Sequence, residues 1–301
     1  MARRDWDHFH AAHGGALQQS WAYGEAMRSL GVQVQRAAIA QDGQVVGLAQ
    51  FICRRVALYI GLASCTRGPV WAPAVEGAWR AQALKQLQRE LPQRPLRVVL
   101  FSPGVAAEGL MPGEMGRLSR VMTGYATVLL DLRRGLADLR ADLDGKWRNR
   151  LAKAEADPRV RVQVQADRQA CHELLEREGE QRASRGFHGL PTELVPAYIE
   201  AHDKPSQAYV MSTARIGKEV VAAMLFLLHG QSATYHVGWS NDEGRRLNLH
   251  NLLLWRAMEH LKAQGLNQLD LGGVNTRDLP GISRFKLGTG GQVLTLAGTY
   301  F

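Results

Sequence analysis

Two stretches of this sequence follow one plan. Residues 37–52 (AAIAQDGQVVGLAQFI) read as strand, tight turn, strand, and residues 209–226 (YVMSTARIGKEVVAAMLF) repeat that outline. Leu58-Tyr-Ile-Gly61 is answered by Thr234-Tyr-His-Val-Gly238, and Trp79-Arg80-Ala81 by Trp255-Arg256-Ala257, each triplet inside a predicted helix. The spacing far exceeds the roughly 20–50 residues of a solenoid repeat, so the reading is two copies of one domain architecture in tandem. A chain of 301 residues has room for two ordinary domains, and 46% hydrophobic content supplies their cores.

In the first half, β-branched runs bounded by Gly, Pro and Asp predict strands near 34–40, 44–52, 56–62, 96–101 and 126–131, with a helix over about 77–90. Asp42-Gly43 supplies hairpin chemistry. Residues 132–157 read as a helical connector ending before Pro158, which disfavours helix in the residue preceding it. The run 160–165 alternates with period two, as a half-buried strand does. Then come helices near 168–185 and 192–202 with a Gly- and Pro-containing loop from Gly186 to Pro191 between them. Strands follow at 207–214, 219–229 and 232–239, and a helix from about Asn248 to Gln264, closed by Gly265. A strand at 268–271 leads to Gly272-Gly273, and the tail 293–300 is one more strand. The predicted class is α+β with mixed sheets: domain 1 over 1–131, the connector over 132–157, domain 2 over 158–291, and a terminal strand over 292–301 that can return to domain 1.

Several function classes are disfavoured. Gly272-Gly273 opens no helix with G-x-G-x-x-G spacing, and no phosphate-loop motif of the G-x-x-x-x-G-K-[ST] type is present. Cys53, Cys65 and Cys171 lack CxxC spacing and are expected as reduced, buried thiols. His8, His10 and His13 lie in a polar leader without a carboxylate constellation, and no metal is expected. No apolar run reaches the roughly 20 residues of a membrane span, and no signal peptide opens the sequence, so a cytoplasmic location is expected.

The formal charge is +9. Lys146, Arg148, Arg150, Lys153, Arg159 and Arg161 form a basic cluster that reads either as a platform for polyphosphate, tRNA or an anionic membrane surface, or as a solvated helix face. The strand ending Gly238-Trp239-Ser240, the loop 241–246 and the following helix form a second candidate anion site. Free N–H groups and the helix dipole favour phosphate there, and Gly244, Arg245 and Arg246 lie in the loop. In GNAT acyltransferases the corresponding loop reads Gln/Arg-x-x-Gly-x-Gly/Ala and holds the coenzyme A pyrophosphate. Asn241-x-x-Gly244-x-Arg246 keeps one of the three signature positions.

Seven pieces then fall in a telling order: Gln19-Ser-Trp21-Ala22; Arg67-Gly-Pro69; residues 143–154 (LDGKWRNRLAKA); Gly238-Trp-Ser240; Leu252-Leu-Leu-Trp-Arg256; Asp270-Leu-Gly-Gly273; and residues 282–288 (ISRFKLG). In these pieces the chain resembles the Fem aminoacyltransferase family, which is built of tandem GNAT-like domains. The resemblance implies two GNAT-like domains and transfer of an aminoacyl group from aminoacyl-tRNA onto an amine of a small molecule or peptide, as in peptidoglycan cross-bridges. It also implies that Lys286, in the Phe-Lys motif, lies at the active site. Members that act on nucleotide-linked precursors carry a basic residue shortly after the Gln-Ser segment, where this chain has Glu25.

Aminolysis of an ester builds negative charge on the carbonyl oxygen, which a fixed ammonium such as Lys286 stabilises. His236 is a candidate general base or a core histidine, with alternation placing it on the side opposite Tyr235. Asp270 either orients a substrate amine or is structural. Tyr235, Trp239, Gly272, Gly273, Asn275, Arg284 and Phe285 are the candidate pocket lining, although Trp239 and Trp255 also read as core. Asn248 reads as an N-cap. No tightly bound cofactor is expected; aminoacyl-tRNA or acyl-coenzyme A is the co-substrate. Two further functions stay open: an acetyl-coenzyme A-dependent N-acetyltransferase, and a non-catalytic module binding RNA or a membrane surface.

Overall fold

The computed structural model describes residues 1–55, 59–91, 96–184, 191–275 and 280–301. Most of the expected loop at Gly186–Pro191, and the start of the strand expected at 56–62, lie outside them. Along the chain run α1 (Arg3–Ala12), α2 (Trp21–Ser29), β1 (Gln33–Gln41), β2 (Gln44–Arg55), β3 (Ile60–Thr66), β4 (Val70–Trp71), α3 (Gly77–Glu90), β5 (Leu96–Ser102), β6 (Arg120–Met122) and β7 (Ala126–Asp131). Then come α4 (Leu136–Ala141), α5 (Gly145–Glu155), β8 (Val160–Gln165), α6 (Arg168–Ser184), α7 (Leu194–Glu200), β9 (Tyr209–Ile216), β10 (Glu219–His229) and β11 (Ser232–Ser240). Last are α8 (Asp242–Arg246), α9 (Leu249–Ala263), β12 (Gln268–Val274), α10 (Pro280–Leu287), β13 (Gln292–Thr295) and β14 (Thr299–Tyr300).

The chain divides into two compact units. One comprises Met1–Ala126, Glu193–Ala201 and Leu294–Phe301; the other comprises Thr127–Thr192 and His202–Val293.

In the first unit the strands run β1-β2-β3-β5-β14-β6, with β4 beside β2. The β1–β2 hairpin turns at Asp42 and Gly43, both with positive φ, the conformation a tight hairpin turn requires. After β3, α3 carries the chain over to β5, which pairs with β3 in parallel. Phe51, Cys65, Leu84 and Phe101 form the centre of the core beneath α3. The Gln19-Ser20 motif is structural here. Gln19 is fully buried, its Nε2 donates to the Thr66 carbonyl at 2.8 Å and its Oε1 accepts from Gln50 N at 2.8 Å, while Ser20 caps α2. Glu25 accepts from Arg36 at 2.6 Å and from Arg28 at 3.0 Å.

The second unit repeats the plan. Its order is β13-β7-β12-β11-β10-β9-β8, and β9, β10, β11, α9 and β12 stand where β1, β2, β3, α3 and β5 stand in the first. The β11–β12 pair is parallel and the β9–β10–β11 meander antiparallel. α9 buries Leu252, Leu253, Leu254, Trp255, Met258 and Leu261, each contributing roughly 1.5–3 kcal/mol of apolar burial. Ser212 on β9 adds a bond to the Leu253 carbonyl at 3.0 Å.

Five expectations are corrected. The polar leader is a helix, α1, because Trp6 and His10 sit at i and i+4 and are buried: Trp6 Nε1 donates to the Gln19 carbonyl and His10 Nε2 meets the Ala16 carbonyl. Residues 132–157 hold two helices, since the first ends at its C-cap Asp142 and Asp144 caps the second by accepting from Lys146 N and Trp147 N. The strand at 268–271 continues through the glycine pair to Val274. The tail is two short strands, broken where Gly298 turns with φ +108°. Asn248 precedes α9 but is left-handed, with φ +56°, and its side chain makes no capping bond.

The three cysteines are buried, and burial pushes the Cys53 and Cys171 thiols up to about 11. No helix among the described residues is long and apolar enough to cross a membrane. No group of three potential metal ligands occurs among them either.

Candidate functional site

β11 and β12 pair only from Ser232 to Thr234 against Gln268 to Asp270. Beyond that register β11 runs on to Ser240 and β12 to Val274, so their C-terminal ends part. The parting begins with two irregularities. On β11, Phe226 faces Tyr235 and Leu225 faces Val237, which leaves His236 as the extra residue of a bulge. The bulge interrupts the alternation that was expected to set His236 opposite Tyr235. On β12, Gly272 takes φ +73°, a conformation open to glycine and costly for other residues.

Lys286 closes the mouth of this gap. It lies on α10, whose approach is fixed by α5: Trp147 Nε1 donates to the Phe285 carbonyl at 3.0 Å, and Asp144 N donates to the Gly288 carbonyl at 2.9 Å. The Lys286 side chain is buried, and its Nζ donates to the Gly273 carbonyl at 2.8 Å. It lies 5.9 Å from the centre of the Tyr235 ring. Burial pulls its amine down to about 8, opposed by the negative charge of Asp270. Asp270 is itself buried on β12, where Oδ1 accepts from Thr127 Oγ1 at 2.6 Å and from Gly272 N at 2.8 Å.

Next to this gap is a cleft of about 340 Å³ with walls from Tyr235, Trp239, His250, Asn251, Ile282 and Phe285. Burial lowers the His250 imidazole, with Arg245 adding to the effect, and Nε2 meets the Trp239 carbonyl at 3.2 Å. Asn251, 5% exposed, lines this region, and its buried amide nitrogen has no hydrogen-bond partner among the described residues. Burial raises the Tyr235 phenol. Trp239 is half-buried on the cleft wall, with the Arg177 guanidinium 4.6 Å above its ring, whereas Trp255 is core.

The structure thus brings Lys286, Asp270, Gly272, Gly273 and Tyr235 together, with Trp239 and Phe285 on the adjoining cleft. Arg284 and Asn275 are exposed and lie off the cleft wall.

The loop expected to bind phosphate is occupied by its own contacts. It forms the short helix α8, where Asn241 Oδ1 takes the Gly244 N–H at 2.8 Å. A Cβ at Gly244 would lie 2.3 Å from the Val221 carbonyl, so this glycine serves close packing on β10. Arg245 binds the Ser240 carbonyl and Asp242, and Arg246 pairs with Glu243 at 2.6 Å.

On α5 the basic residues separate. Trp147, Leu151 and Ala154 face the core, while Lys146, Arg150 and Lys153 share an exposed stripe at i, i+4 and i+7 and make no ion pair among the described residues. Arg148 bonds to the Ala141 carbonyl, and Arg159 is held by Asp157 at 2.6 Å and Glu243 at 3.5 Å. Thr127, His250 and Asn251 were not singled out from sequence. The only available signal was a polar residue inside a strand or at the first turn of an apolar helix.

The protein is an acyltransferase that carries a GNAT-type domain in its second unit. Residues 142–287 match the family described as acetyltransferase (GNAT) domain. The whole chain has the Fem-type fold of two GNAT-like units. It superposes on the crystal structure of FemX over 100% of this chain and 95% of that one, with a TM-score of 0.82 and 17% identity. A conserved protein of unknown function from Bacteroides thetaiotaomicron matches over 100% of this chain and 96% of its own, with a TM-score of 0.66 and 14% identity. L-PGS from Bacillus licheniformis matches over 99% and 91%, with a TM-score of 0.60 and 12% identity. A comparison with curated proteins finds no match.

Proposed function

We propose that this protein transfers an aminoacyl group from aminoacyl-tRNA to an amine of a small molecule or peptide, with Lys286 at the reacting centre. The observation that carries the reading is a buried ammonium fixed on a backbone carbonyl at the mouth of two parting strands. The acceptor amine attacks the ester carbonyl, a C–N bond forms, and the C–O bond to the tRNA ribose breaks. The amine gives up a proton and the ribose oxygen regains one. Below pH 8 the Lys286 side chain is mostly charged and stabilises the oxygen that becomes negative during the attack. The remaining contribution is positioning of the reactants.

The stripe Lys146, Arg150 and Lys153 supports a tRNA backbone contact, as three cations on one helix face that make no ion pair among the described residues suit a phosphate chain. The self-satisfied loop around Gly244 weighs against a coenzyme A pyrophosphate cradle. The acetyl-coenzyme A reading keeps one specific support, the match of residues 142–287 to an acetyltransferase domain.

The test compares binding of total tRNA with binding of acetyl-coenzyme A by the purified protein at low and moderate salt, followed by a screen of charged tRNAs with wild type and Lys286→Ala. Salt-resistant tRNA binding without coenzyme A binding, and transfer lost in Lys286→Ala, is the expected result. Saturable coenzyme A binding with only salt-labile tRNA binding overturns the aminoacyl-tRNA reading in favour of N-acetyl transfer.

A further inference from the structure

The corner that holds the Lys286 ammonium is tied to a strand that carries none of the candidate reacting groups. The glycine corner of β12 presents two backbone groups. The Gly272 N–H donates to Asp270 Oδ1 at 2.8 Å, and the Gly273 carbonyl accepts from Lys286 Nζ at 2.8 Å. The same Asp270 oxygen takes the hydroxyl proton of Thr127 at 2.6 Å, from the neighbouring strand β7. That distance is short, in the range of charge-assisted O–H···O bonds. Thr127 is fully buried and Asp270 nearly so, so the bond between them is shielded from water.

We propose that Thr127 is a positioning residue for Lys286: its hydroxyl clamps the Asp270 carboxylate, which fixes the Gly272–Gly273 corner whose carbonyl seats the ammonium. Asp270 accordingly acts on Lys286 and not on the acceptor amine. The clamp has a mechanical logic. The Thr127 hydroxyl and the Gly272 N–H meet at one carboxylate oxygen from two strands, so the hydroxyl ties the orientation of the carboxylate, and with it the turn of the glycine amide, to β7. Among the described residues, the titratable groups that face the ammonium are Asp270 from β12 and Tyr235 from β11, while α5 meets α10 through Trp147. A loosened corner therefore changes the charge that Lys286 sees.

This inference takes its significance from the proposed role of Lys286, but its test needs no substrate. The full chain is labelled at the lysine side chains, the Lys286 signal is assigned by its loss in Lys286→Met, and its protonation is followed by NMR against pH. Asp270→Asn is expected to move the midpoint down by roughly one unit, since an opposite charge nearby favours the ammonium. Thr127→Val is expected to move it the same way by a smaller amount, as the freed carboxylate turns from the amine, and Thr127→Ser to restore it. Should Val prevent folding, Thr127→Cys keeps the volume with a weaker donor and carries the same expectation. A midpoint in Thr127→Val or Thr127→Cys that coincides with wild type, in a folded protein, overturns the clamp. Failure of the catalytic reading would show separately, as transfer that persists in Lys286→Met.

Discussion

Trp147 and Phe285 are joined twice: the indole N–H donates to the Phe285 carbonyl at 3.0 Å, and the two rings lie 29° from parallel with centroids 5.9 Å apart. Phe285 precedes Lys286, so this joint sets where the ammonium sits. Trp147→Ala is expected to cost about 3–5 kcal/mol, as for other large aromatic deletions in a core. Trp147→Phe keeps the ring contact and loses the bond, for about 1 kcal/mol in urea unfolding. If the joint aims α10, Trp147→Phe lowers transfer by more than its loss of stability explains; equal activity would assign the tryptophan to stability alone.

The Lys286 amine, held near 8 in the fold against 10.5 for a free lysine, makes two opposed pH statements. Between those values the unfolded chain binds the extra proton, so stability rises as pH rises through that window, and the penalty of the buried ammonium is fully present below pH 8. Lys286→Met is therefore expected to stabilise the protein at pH 7 by something on the order of 2–3 kcal/mol while abolishing transfer. Activity, if it needs the ammonium, falls as pH rises through about 8. A rate that climbs through the same range would instead make Lys286 a base.

Gly244 separates a packing role from a ligand role. With the Val221 carbonyl 2.3 Å from any added Cβ, Gly244→Ala is expected to lose roughly 1–3 kcal/mol in thermal or urea unfolding. Donor affinity, measured on the folded fraction, should stay within a factor of two. A large loss of affinity at unchanged stability would return the loop to phosphate binding.

For the α5 stripe the readout is the salt dependence of tRNA binding. Each of Lys146→Ala, Arg150→Ala and Lys153→Ala should flatten the log–log salt slope by roughly 0.7–0.9, the value of one phosphate contact. Arg159→Ala, whose charge is already paired with Asp157 and Glu243, should leave the slope nearly unchanged.

The repeat was legible because hairpins announce themselves locally: Asp42-Gly43 sits between alternating strands, and the β9–β10 turn carries Gly217 at positive φ. The helix expected over 77–90 and α3 share their bounds for the same reason, a periodic run between breakers. Lys286 and its glycine corner came from motif order. What escaped the sequence was set by partners distant in the chain. Thr127 looks like any strand threonine until Asp270 is placed beside it, and Asn251 like any helix residue until its amide is found buried with no partner among the described residues. Arg245 and Arg246 looked available for phosphate because sequence does not reveal that Asp242 and Glu243 turn toward them.

β14 lies between β5 and β6, with Ser119 and Phe301 exchanging backbone bonds at 2.9 and 3.0 Å beside it. The first unit thus borrows an interior strand from a segment made after the whole second unit. A nascent chain that has emerged only as far as β6 holds a sheet with a missing slat, and its outer strand has nothing to pair with. Maturation of the first unit is for that reason expected to be post-translational in timing, and an excised N-terminal fragment should behave as a partly folded, chaperone-dependent species that the missing segment, added in trans, can complete.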